Sequence, residues 1–156
     1  TCEDIDYTTK VFINNPRIEF WNKPYYIYRK DRTASLMNIV SLKRVQDVTA
    51  VIENSISSLD THNAFIHAKL LQEQFRFEYL LNIALILEVG LEDRKAAFAA
   101  FCHWQLVLQP AQRITTKLFY IFMRLFGLST GASVLLFLKK AKRRLLCCIY
   151  SAEAKY

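Results

Sequence analysis

Only three glycines and three prolines interrupt the 156 residues of this chain. An all-β sandwich needs a turn about every ten residues, and turns draw heavily on these two residue types. A disordered chain would contain fewer apolar residues than the 53% found here. The sequence therefore predicts an all-α fold, and its length predicts one domain over residues 1–156.

The first half of the chain predicts two helices. Asp60 is a suitable N-cap, and no glycine or proline follows before Gly90, which predicts a helix from about Asp60 to Val89 as the long central element. In the segment before it, apolar residues recur at three- to five-residue intervals, the period of a helix that buries one face. These residues are Leu36, Val40, Val45, Val48, Ile52, Ile56 and Leu59.

Caps and stops predict three further helices, for a bundle of about five. They run from Glu92 and Asp93 to near Pro110, from Pro110 to Gly127, and from Ser129 or Thr130 to about Tyr150. In the N-terminal thirty residues, Pro16 and Pro24 interrupt any long helix, and a short helix at Asn15-Pro16 stays open.

The charge of the chain is concentrated in its last third. Residues 94–152 contain ten Lys and Arg but no Asp or Glu, whereas residues 1–93 contain 10 basic and 13 acidic residues. This basic segment is also rich in Phe, Leu and Ile, and the charged content of the whole chain is only 22%. The composition predicts exposed apolar surface beside a cationic field that attracts anionic partners.

Two basic sets are the candidate binding residues. Arg113, Lys117 and Arg124, with Tyr120 between them, fall on one side of the predicted fourth helix and form a track. The fifth helix carries basic residues on one broad side and apolar residues on the opposite arc, the design of an interfacial amphipathic helix. Its basic residues are Lys139, Lys140, Lys142, Arg143 and Arg144, and its apolar arc comprises Val134, Phe137, Leu138, Ala141, Leu145, Cys148 and Ile149.

The sequence predicts no catalytic or metal site. The segment 127–131 has the G-x-S-x-G spacing of a nucleophile elbow, but that elbow follows a strand and needs a later acid and a later histidine. Here the flanks are helical, no histidine follows His103, and the later acid is Glu153. His62 and His67 lie about 140° apart on a helix and cannot easily share a metal. We predict a non-enzymatic protein without cofactor, metal or small-molecule substrate.

The cysteines and the start of the chain leave alternatives open. Cys2, Cys102, Cys147 and Cys148 show no zinc spacing, and either a bridge from Cys2 to the Cys147/Cys148 pair or free thiols fits. The chain starts at Thr1 without an apolar leader, as a secreted mature protein or a trimmed segment does. The longest uncharged stretch, from Ala96 to Gln112, is too short and too polar to predict a transmembrane helix.

Four short landmarks resemble the abalone sperm lysin family in order and separation. They are Phe12-Ile13-Asn14, Asp31-Arg32, Val45-Gln46, and Thr61-His62 before a long helix. The mass of 18.3 kDa, the basic pI and the apolar content resemble the eighteen-kilodalton acrosomal branch of that family. The resemblance implies a helical bundle secreted from the sperm acrosomal vesicle that acts without catalysis at the egg surface.

Three functions follow as hypotheses. The first is promotion of sperm–egg membrane fusion, with basic helices on anionic head groups and aromatic residues in the interface. The second is lysin-like binding and dissolution of the egg envelope through an egg-coat glycoprotein. The third is a subunit of a large organellar assembly. Nucleic acid is not expected as a partner, because the basic residues come without a reading motif, and the oligomeric state stays open.

Overall fold

The computed structural model describes residues 3–14, 17, 40–61 and 66–153. Over these residues the chain is all-helical without strands, which confirms the predicted class but not the number of about five helices. The seven α-helices are α1 (Glu3–Ile13), α2 (Leu42–Thr61), α3 (Ile66–Asn82), α4 (Arg94–Ala100), α5 (Trp104–Leu108), α6 (Ile114–Phe126) and α7 (Leu128–Glu153), and a 3-10 segment (Ile83–Leu87) follows α3.

The core begins with α2, whose predicted apolar face is confirmed. Its apolar residues are at most 5% exposed and pack toward α1, α3 and α4. They are Val45, Val48, Ile52, Ile56 and Leu59. Val40 is half-buried, whereas Leu36 lies outside the described residues.

The predicted central helix from Asp60 to Val89 is wrong at both ends. Asp60 lies in the last turn of α2, where its Oδ1 accepts a hydrogen bond of 2.8 Å from Gln72 Nε2, so it does not start a helix. Thr61 ends α2 in place of leading into a long helix, and residues 62–65 lie outside the description. α3 runs unbroken through Phe75 but ends at Asn82. The longest described helix is instead α7, with 26 residues.

After Asn82 the α-helix changes to a 3-10 helix, at the point where the chain becomes buried. Residues 83–86 are all buried, because the 3-10 segment lies among α3, α4 and α7. A 3-10 segment rises more per residue than an α-helix and turns its side chains differently, which suits a segment whose first four residues are all buried.

The predicted third helix is divided, and the predicted start of the fourth is wrong. A turn over 101–103 separates α4 from α5, with Phe101 fully buried in it. α6 starts at Ile114 and not at Pro110, because Glu73 of α3 holds the preceding backbone: its Oε2 accepts the N–H groups of Gln112 at 2.7 Å and Arg113 at 2.9 Å.

Gly127 ends α6 as predicted and connects it to α7. Its φ of 86° lies in the region that favours glycine. α7 then starts at Leu128, slightly before the predicted position, and packs against α6 and the 3-10 segment. Gly131 allows this close approach, because a Cβ there would collide with the side chain of Met123.

Several predictions at the chain ends concern residues outside the described part. The short helix at Asn15-Pro16 is one of them, while α1 was not predicted. The proposed bridge of Cys2 to Cys147 or Cys148 also involves side chains that are not described. Cys102 is an exposed free thiol.

Candidate functional site

α6 exposes its most apolar stripe to solvent. Four aliphatic residues spaced three or four apart form one line along the helix. They are Ile114, Leu118, Ile121 and Leu125, with 73%, 61%, 52% and 72% exposure. The opposite face, which carries Thr116, Tyr120 and Met123, enters the core. The composition's prediction of exposed apolar surface is therefore confirmed.

α7 extends this apolar surface with two residues of its predicted apolar arc. Phe137 and Leu138 are 70% and 47% exposed. The face that packs inward instead carries Ala132 and Leu135, with Leu128 partly buried on the same side. Contact with the 3-10 segment fixes this rotation of α7. Val134 and Ala141 are half-buried, and the arc beyond Ala141 is outside the described side chains.

An apolar groove lies between the two helices on this surface. It is lined by Leu118, Phe119 and Phe122 of α6 and by Val134 of α7, and it has a volume of about 280 Å³. The ring of Phe122 packs on that of Phe126, with centroids 4.9 Å apart. We call the exposed residues Ile114, Leu118, Ile121, Leu125, Phe137 and Leu138 the apolar face, and the four lining residues the groove.

Basic side chains border the apolar face on both helices. At 100° per residue, Lys117 lies about 40° from Ile121, on the side of α6 that turns away from the groove. Arg124 shares that side. On α7, Lys140 and Arg144 lie beyond Phe137, again away from Val134 and the groove. Arg124, Lys140 and Arg144 are exposed and form no ion pair within the described part of the chain.

Two residues of the predicted α6 track have structural roles. Tyr120 was expected beside the exposed basic residues, but it is only 9% exposed and packs its ring 5.9 Å from that of Trp104. Arg113 precedes α6, and its guanidinium carbon lies 3.8 Å from the ring centroid of Phe77. Lys117 is exposed, with Nζ 3.4 Å from Gln112 Oε1.

The basic set of α7 is also divided. Lys139 is half-buried, and its Nζ donates to both carboxylate oxygens of Glu88 at 2.9 Å, so it is not available to an anionic partner. Lys140, Lys142 and Arg144 are exposed as predicted, and the side chain of Arg143 is outside the description. Glu88 follows the 3-10 segment, so an acidic residue distant in sequence offsets one positive charge of α7.

Sequence reasoning missed the exposed stripe of α6. It predicted that the basic residues lie on one side of this helix, but it did not predict which of the apolar residues are buried and which are exposed. The available signal was that α6 carries apolar residues on almost every side, because a helix at the edge of a bundle cannot bury them all. Which side stays exposed depends on the neighbouring helices.

A polar cluster of Tyr79, Glu53 and His103 lies at the edge of the core. The hydroxyl of Tyr79 donates to Glu53 Oε1 at 2.8 Å, and His103 Nδ1 lies 3.3 Å from Glu53 Oε2. Burial, followed by the hydrogen bond and the negative charge of Glu53, raises the pKa of Tyr79 well above its ordinary value of 10.0. Tyr79 is therefore a neutral donor that satisfies a carboxylate between α2 and α3.

The described residues hold no group of His, Cys, Asp and Glu that could bind a metal ion. None of their helices is long and apolar enough to span a membrane. The chain matches no family model, and comparisons with curated proteins and with solved structures find no similar protein.

Proposed function

We propose that this protein is a non-enzymatic, cationic amphipathic protein that lies on anionic membranes through α6 and α7 and promotes their fusion. The apolar face with basic residues on both borders is the observation that supports this proposal. Interfacial helices bury such a face at the boundary between head groups and acyl chains while their basic residues contact anionic lipids.

The resemblance to the lysin family gives the proposal its biological setting. In that setting the protein is secreted from the sperm acrosomal vesicle, acts on the egg surface and promotes sperm–egg fusion. The proposed contact residues are the exposed Lys117, Arg124, Lys140 and Arg144 with the apolar face, and Arg143 as their neighbour in sequence. Arg113 is also exposed but lies over the ring of Phe77. Tyr120 and Lys139 are excluded from this set by their positions in the fold.

A charge-reversal variant tests the proposal. Each Lys or Arg near an anionic membrane surface contributes about 1 kcal/mol, so Lys140→Glu with Arg144→Glu should weaken vesicle binding by about 30-fold or more. Sedimentation with phosphatidylglycerol vesicles measures binding, and dye dequenching measures lipid mixing. Wild-type binding should also weaken steeply with salt, since the Debye length is about 8 Å at physiological ionic strength.

Lys43→Glu with Lys69→Glu is the matched control, because both lysines are exposed on other helices and the net charge changes equally. This control should keep most of the vesicle binding. Equal losses in the two double variants would show that net charge alone acts, and unchanged lipid mixing after reversal on α7 would remove that helix from the contact.

The same exposed basic residues support lysin-like binding of an acidic egg-coat glycoprotein as the second candidate. That function predicts envelope dissolution and saturable glycoprotein binding without lipid mixing. A subunit of an organellar assembly is the third candidate, in which a neighbouring subunit covers the apolar face. Such a subunit should bind neither vesicles nor egg-coat glycoprotein.

A further inference from the structure

The groove between α6 and α7 differs from the rest of the apolar face in its shape. Its lining is provided entirely by apolar side chains, and it opens on the surface that we assign to the membrane. A water molecule in it would find few hydrogen-bond partners, because Leu118, Phe119, Phe122 and Val134 offer none from their side chains. An apolar chain is therefore a better occupant than solvent.

The charges at the two edges of the apolar face, in which the groove lies, indicate what kind of apolar chain the groove accepts. Lys117 and Arg124 lie on one side, and Lys140 and Arg144 lie on the other, with no acidic residue anywhere in 94–152. An occupant with an anionic head and a single flexible tail matches both features. A second copy of the chain would instead place its own basic residues opposite these basic residues, and the like charges would repel each other.

We propose that the groove holds one acyl chain of an anionic phospholipid taken from the bilayer on which α6 and α7 lie. This inference rests on the proposed function and adds a specific lipid site to it. If only the apolar face contacts the membrane, the protein partitions onto the bilayer and no fixed number of lipids is bound per protein. A groove that receives one acyl chain instead binds one lipid per protein, and this binding saturates.

A chain-length series tests the site on the full-length protein. The probes are monomeric lysophosphatidylglycerols from hexanoyl to tetradecanoyl, titrated calorimetrically below their critical micelle concentrations. Each methylene removed from water should raise affinity about fourfold until the groove is filled, after which affinity should stay constant. Lysophosphatidylcholine of equal length should bind about fivefold more weakly for each basic residue that contacts the anionic head.

Two variants separate the groove from the apolar face. Val134→Trp fills the groove and should lower lysophosphatidylglycerol affinity by at least about 16-fold, the effect of two lost methylene contacts, while vesicle binding is retained. Phe137→Ala removes an exposed ring outside the groove and should weaken vesicle binding while lysolipid binding stays unchanged. Circular dichroism and thermal unfolding check the fold of both variants.

A measurement on the wild type keeps the proposal testable if Val134→Trp does not fold. A nitroxide at the end of the decanoyl chain should broaden the methyl resonances of Leu118 and Val134, with those of Val51 on α2 as the control. Equal broadening of all three overturns the site.

The remaining outcomes distinguish the two proposals. In one case the protein binds vesicles while its affinity for lysophosphatidylglycerol rises along the whole chain-length series, or while lysophosphatidylglycerol binding does not saturate at one to one. Either result overturns the groove site and leaves membrane binding intact. Lysolipid binding without vesicle binding overturns the bilayer as the source of the lipid. Absence of both, together with dimerisation in sedimentation velocity that Phe137→Ala abolishes, would assign this face to a second copy of the chain.

Discussion

α2 and α6 are both helices with an apolar stripe, but only one stripe enters the core. α2 buries Val45, Ile52 and Leu59 against its neighbours. α6 exposes Ile114, Leu118 and Leu125 and buries Thr116 and Tyr120 instead. The hydrophobic effect acts on the total area buried by the fold and not on each helix separately. The stripe left exposed beside basic residues is the surface that we propose contacts the membrane.

A pair of identical substitutions gives the largest expected contrast between these helices. Leu59 is fully buried in α2, and Leu125 is 72% exposed in α6. Leu59→Ala should lower the free energy of unfolding by about 2–5 kcal/mol, because it leaves a cavity. Leu125→Ala should change it by no more than about 0.5 kcal/mol. Urea unfolding of both variants measures the contrast, and comparable losses would show that Leu125 is buried in solution.

The contact between α6 and α7 should be the next most sensitive. Gly131→Ala places a Cβ against Met123, so the free energy of unfolding should fall by about 1–3 kcal/mol. Gly90→Ala is the control, since the nearest atoms to its Cβ are 3.8 Å away in the Glu92 side chain. Thermal unfolding compares the two variants. If Gly131→Ala were as stable as Gly90→Ala, the close approach of the two helices would be wrong.

Alkaline pH should selectively destabilise the α2–α3 side of the molecule. The folded state raises the pKa of Tyr79, so the unfolded chain releases this proton near pH 10 while the folded chain retains it. The contribution of Tyr79 to stability is therefore complete below pH 10 and decreases above it by about 1.4 kcal/mol per pH unit. Denaturant unfolding between pH 9 and 11 measures this slope. Tyr79→Phe should reduce it, whereas the exposed Tyr7→Phe should not.

The smallest expected effect is the difference in stability between substitutions of two adjacent lysines of α7. Lys139→Met breaks the half-buried ion pair with Glu88 and should lower the free energy of unfolding by about 1 kcal/mol. Lys140→Met should leave stability within about 0.5 kcal/mol of the wild type but weaken vesicle binding. Urea unfolding and vesicle sedimentation are measured on both variants. The reverse assignment of the two effects would contradict the division between structural and surface lysines.

Local sequence signals determined much of this protein. The scarcity of glycine and proline predicted its helical class, the period of apolar residues predicted the buried face of α2, and Gly127 predicted the end of α6. These signals are reliable because they act within a few residues: a turn requires a permissive backbone, and a helix returns to the same side every three or four residues.

Contacts between distant residues decided the rest. Hydrogen bonds to Glu73 hold the backbone before α6, so that α6 starts at Ile114. The 3-10 segment after Asn82 lies buried among other helices. Glu88 pairs with Lys139, 51 residues later in the chain. The exposure of the apolar face belongs to the same group, because packing against the 3-10 segment sets the rotation of α7. A sequence pattern gives the relative directions of side chains on one helix. Only the tertiary structure decides which of those directions meets a neighbouring helix and which meets solvent.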